Sequence, residues 1–205
     1  MSGCCDGGCS VNALREERQR GTLKTVLGIN AVMFFVIAVA AIYGGSTALL
    51  ANSFDNFGDA ITYALSLYAV SRGTSTKAKV ALFKGALILL AALIVTGQII
   101  YKIYVPSVPI FEAMGIFGIL GLTANSICLF LLWRHRHEDV NMSSVWECSR
   151  NDIASDLSVI VAAGAVWLLG SGWPDIIVAL ALVILLYHSA FRVISSAKSE
   201  LNNAT

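Results

Sequence analysis

Apolar runs long enough to cross a bilayer alternate six times with short polar breaks. The runs cover about 26–51, 49–70, 80–100, 110–133, 146–169 and 176–194, the first closing near Tyr43-Gly44-Gly45. A helix needs roughly 20 apolar residues to cross a hydrocarbon core about 30 Å thick, so the pattern predicts an all-α polytopic membrane protein of six transmembrane helices. The breaks carry turn chemistry: SRGTSTKAK after the second run, VPSVP after the third, RHRHEDVNMSS after the fourth and GSGWPD after the fifth. Pro174 suits the first turn of the sixth helix. The expected organisation is a Cys-containing leader at 1–21, a six-helix domain at 22–198 and a short tail at 199–205, with no aqueous domain at either end. The leader is polar and charged and lacks the apolar core of a signal peptide.

Lysine and arginine set the orientation. Arg15, Arg18, Arg20 and Lys24 precede the first run; Arg72, Lys77 and Lys79 follow the second; Arg134 and Arg136 lie between the fourth and fifth, with Arg150 close by at the start of the fifth; Arg192 and Lys198 lie at and beyond the end of the sixth. The opposite side carries only Lys102. Both termini are therefore expected in the cytosol. Composition agrees with a membrane protein: 57% of the 205 residues are hydrophobic and 13% charged, where soluble domains run near about 25%. The mean hydropathy is +0.74. A net charge of +1 gives no basis for nucleic-acid binding; the lipid bilayer is the partner that composition implies.

Against that apolar background the second run carries Asp55 and Asp59, and the fifth carries Asp152 and Asp156. Residues four apart share a helix face. At 1.5 Å per residue the first pair lies about 9 and 15 Å below Leu49, and the second about 9 and 15 Å above Trp146. Both pairs thus fall near mid-membrane, where charge is costly and marks function. Four carboxylates there are suited to one divalent cation, Mn²⁺, Fe²⁺, Co²⁺ or Zn²⁺, without strong choice among them. Crowded like charges resist joint ionisation, so an empty site would hold protons and release them on binding metal, as an exchanger does. The alternative is structural: acids paired with Lys84 or Arg150, or protonated as hydrogen-bond donors.

Cys4, Cys5 and Cys9 form a second candidate, thiolates that would capture soft metal at the cytosolic face, or else an incidental or lipidated leader. His135, His137, Glu138 and Asp139 are read as a solvated linker with a possible recruiting role for cations. Asn52, Asn56 and Asn125 are candidates to support the acids from behind. Gly44, Gly45, Gly58, Gly85, Gly97 and Gly118 permit close helix approach.

With these residues in place the chain resembles the cation diffusion facilitators, six-span metal/proton antiporters with DxxxD in span two and [HD]xxxD in span five. The likeness runs through most of residues 22–198 and includes GGSTALLANSFD, KAKVAL, Asn125, DVNMSS and the W-P-D turn. It implies a transporter, not an enzyme, that exports Zn²⁺-, Fe²⁺-, Co²⁺- or Cd²⁺-type ions from the cytosol against protons. It further implies a homodimer in a plasma membrane of the bacterial inner-membrane kind. No cofactor is called for, since the metal is cargo. Two departures stand out: Asp152 replaces the histidine of zinc-preferring members, and the family's usual cytoplasmic C-terminal domain is expected to be missing. An intramembrane aspartyl protease is the rival, but it needs one acid from each helix, not two, and a GxGD element is absent. A non-transporting metal-binding or assembly protein is the third reading.

Overall fold

The computed structural model describes residues 6–69, 74–134 and 140–203. These form six helices: α1 (Asp6–Gly44), α2 (Thr47–Ala69), α3 (Thr74–Tyr104), α4 (Phe111–Trp133), α5 (Val140–Leu169) and α6 (Trp173–Asn203). The described residues include no strand, so the all-α six-helix expectation holds. The helices run further than the apolar runs. Much of the expected leader is the start of α1, VNMSS opens α5, and most of the expected tail is the end of α6. Polar residues continue a helix readily once an apolar span has nucleated it.

Among the described residues, five helices are long and apolar enough to cross a membrane: 17–44 of α1, 81–104 of α3, all of α4, 149–169 of α5 and 173–199 of α6. The outer surface is correspondingly apolar. Val32, Phe35, Val39 and Ile42 make an exposed stripe on α1, and Ile177, Leu180 and Ile184 make one on α6. The protein is an integral membrane protein. The exception is α2, whose 23 residues are long enough to span but too polar to count among those five. Its polar side chains explain this, because Asn52, Ser53, Asn56 and Asp59 are all buried. Alone among the helices, α2 packs against all five others; α3 pairs chiefly with α6, and α4 with α5. Lipid therefore need not solvate the polar face of α2, because protein does.

One end of the bundle is closed by three tight connections. Gly45, at φ +59°, terminates α1 in a left-handed turn, and the Ser46 amide reaches back to the Ala41 carbonyl (3.0 Å). The Ile110 amide donates to the Gly44 carbonyl (2.9 Å), joining the α3–α4 connection to this corner. Lys102, the one basic residue that the sequence places on the side opposite the termini, lies near the end of α3. It is 3% exposed and pairs at 2.9 Å with Asp175 of α6, itself fully buried. Asp175 also accepts from Ser46 Oγ (2.6 Å) and from the backbone amides of Thr47 (2.9 Å) and Ala48 (3.0 Å). A carboxylate from α6 thus caps the N-terminus of α2.

Candidate functional site

The helices α2 and α5 pack antiparallel, and their polar residues meet as successive rungs. Nearest the tight-loop end, Asp156 accepts from Asn52 Nδ2 on α2 (3.0 Å to Oδ1) and from Asn125 Nδ2 on α4 (2.8 Å to Oδ2). It is fully buried, so each carboxylate oxygen has exchanged water for an amide. Gly121 of α4 makes room: a Cβ there would stand 2.6 Å from Asp156 Oδ1. On the next rung Ser155 faces Asp55, and the carboxylates of Asp59 and Asp156 act on Asp55 through space. Then Asp59 and Asp152 face one another across the two helices. On the last rung the Tyr63 hydroxyl donates to Asp59 Oδ2 (2.9 Å) and lies 3.2 Å from Ser149 Oγ of α5.

All four acids singled out in the sequence therefore lie along one seam inside the bundle. Asp59 faces Asp152 across the two helices, and Asp55 feels the charge of Asp59 most and that of Asp156 next. Among the described residues no three His, Cys, Asp or Glu side chains are drawn together at metal-binding spacing. Mutual repulsion and the separate amide and hydroxyl partners account for that spread. The amide oxygens of Asn52 and Asn56 are buried with no hydrogen-bond partner. An unmatched buried acceptor costs about 1–3 kcal/mol, and a cation at the seam would answer both.

The structural alternative for the acids gains little. Lys84 of α3 donates to Thr62 Oγ1, and its charge reaches Asp59, whereas Arg150 is exposed and lies over the Trp146 ring at 5.5 Å. Cys4, Cys5, His135, His137, Glu138 and Asp139 lie outside the described residues, and so does the side chain of Cys9. Sequence reasoning missed Tyr63, Ser149 and Ser155. A signal existed for the first: Asp55, Asp59 and Tyr63 continue one four-residue spacing.

Residues 23–202 match the family model described as the cation efflux transmembrane domain. No curated protein matches the chain.

Proposed function

The chain belongs to the cation efflux family, and from that premise we propose that it exports divalent metal from the cytosol in exchange for protons, with Asp55, Asp59, Asp152 and Asp156 holding the ion. As a family member it is a cation transporter; the ion, the coupling and the direction are the proposal. The observation that carries it is the α2–α5 seam, where four carboxylates and two unmatched amide oxygens sit inside a bundle with an apolar exterior. Oxygen-only donors admit Zn²⁺, Fe²⁺, Co²⁺, Cd²⁺ and Mn²⁺. The approach of Asp59 and Asp152 supports proton exchange, because neighbouring carboxylates resist joint ionisation and a dication binding there would displace the protons they retain. The excess of Lys and Arg on the side of the termini supports a cytosolic location for both. Cys4, Cys5 and Cys9 would serve as capture ligands on that side.

One acid from each of two helices in contact is also what an aspartyl protease would need. The second acid pair and the family membership favour transport. The test is Zn²⁺ flux into sealed vesicles under an imposed pH gradient. Replacing Asp55, Asp59 or Asp156 with Ala is expected to abolish flux, at least about a hundredfold, in protein that still inserts. Parent-like flux in two of the three variants would overturn the assignment.

A further inference from the structure

Tyr63 is the largest fully buried side chain among the described residues, yet coordinating the ion does not require it. It lies one helical turn beyond Asp59, away from the tight-loop end, and Ser149 lies one turn from Asp152 in the same direction. Around the Tyr63 ring, Leu23 and Val26 of α1 and Cys128 and Leu132 of α4 form a small buried cluster, with Leu67 and Trp146 packed on it. This cluster lies on the side of the acids toward the end of the bundle where α1 begins and α6 ends. The hydroxyl then ties the plug across the seam. A phenol has one proton, so if Tyr63 donates to Asp59 (2.9 Å) it accepts from Ser149 (3.2 Å). The resulting chain runs Ser149 to Tyr63 to Asp59 and holds α2 against α5 where an ion from that end must enter.

We propose that Tyr63 and Ser149 are the gate on the terminal side of the ion path, a hydrogen-bonded latch over an aromatic plug that must part before metal reaches Asp59. This inference rests on the transporter reading above. Both residues act as positioning residues: neither needs to touch the ion, and the latch acts through the population of the state open to the termini. Removing it favours that state, and a ligand that enters from the terminal side then meets a larger fraction of competent protein.

The experiment measures Zn²⁺ exchange across membranes of both orientations, sorted by a tag on one terminus, for the parent, Ser149→Ala, Tyr63→Phe and Ser149→Thr. Ser149→Ala is expected to lower the half-saturating Zn²⁺ concentration at the terminal face about three- to tenfold, the range one net hydrogen bond supports. The half-saturating concentration at the other face should not fall. Tyr63→Phe keeps the ring and should shift the terminal face the same way, which covers the case in which one variant folds badly. Ser149→Thr keeps a hydroxyl and should return the parent value. Unchanged or raised half-saturation at the terminal face, or an equal fall at both faces, would overturn the latch. A parent that exchanges no Zn²⁺ would instead refute the transporter reading, so the two failures are distinct.

Discussion

Asp152 meets Asp59 across the α2–α5 seam, at the position where zinc-preferring relatives of this transporter class are expected to carry histidine. Imidazole suits Zn²⁺ better than carboxylate does, and carboxylate tolerates harder ions. Asp152→His should therefore move selectivity toward Zn²⁺ and away from Mn²⁺ by about tenfold or more. Competition among Mn²⁺, Fe²⁺, Co²⁺, Zn²⁺ and Cd²⁺ in vesicles reads this directly, and an unchanged ranking would remove Asp152 from the ligands. At this scale the sequence was informative wherever a residue was expensive. A carboxylate at membrane depth needs a reason, so Asp55, Asp59, Asp152 and Asp156 could be singled out, along with Asn52 and Asn125, which do hold Asp156. Hydroxyls are cheap in a helix because they can bond to the preceding turn, as Thr62 does to Gly58 and Ser53 to Leu50. Nothing in the sequence told Ser149 or Ser155 from those. Gly121 escaped for a related reason: its neighbour is a carboxylate on another helix, and one sequence does not reveal that pairing.

Among the elements, α2 shows why apolarity is an incomplete guide to a membrane bundle. Its contact with every other helix lets it bury Asn52, Ser53, Asn56 and Asp59 in protein. The helix ends were harder to foresee, since α1, α5 and α6 extend well beyond the apolar runs that announced them. Asp175 was quoted only as part of a turn, whereas it caps α2 and pairs with the buried Lys102. Removing one partner of a buried pair leaves an uncompensated charge, a loss of about 3–5 kcal/mol. Asp175→Asn should therefore destabilise the protein by about that much, more than Lys102→Met, which leaves the amides of Thr47 and Ala48 to satisfy the carboxylate. Adding Lys102→Met to Asp175→Asn should recover part of the loss, because the stranded cation is gone. Thermal unfolding in detergent measures all three. A double variant no more stable than Asp175→Asn alone would show that the cap, and not the ion pair, carries the stability.

For the whole molecule, charge balance constrains how the bundle can work. Its centre holds four carboxylates, with the Lys84 charge close enough to reach Asp59, and its ends are closed by the Asp175 cap and the Tyr63 plug. A low-dielectric interior penalises net charge strongly. On the proposed coupling the seam carries protons when no metal is bound, because clustered carboxylates resist joint ionisation. A dication that enters must displace a compensating number, or the interior would gain positive charge it cannot solvate. Zn²⁺ binding should accordingly release about two protons per ion, measurable in weakly buffered detergent solution or by calorimetry in buffers of different ionisation enthalpy. The same stoichiometry fixes the sign and slope of the pH dependence. Lowering pH by one unit should weaken Zn²⁺ binding by about tenfold for each proton displaced. Asp59→Asn, which removes one member of the carboxyl pair, should release about one proton fewer per ion and flatten the slope to match. Binding of undiminished affinity with no proton release in the parent would separate metal binding from proton exchange and leave the bundle a metal-binding protein without the proposed coupling.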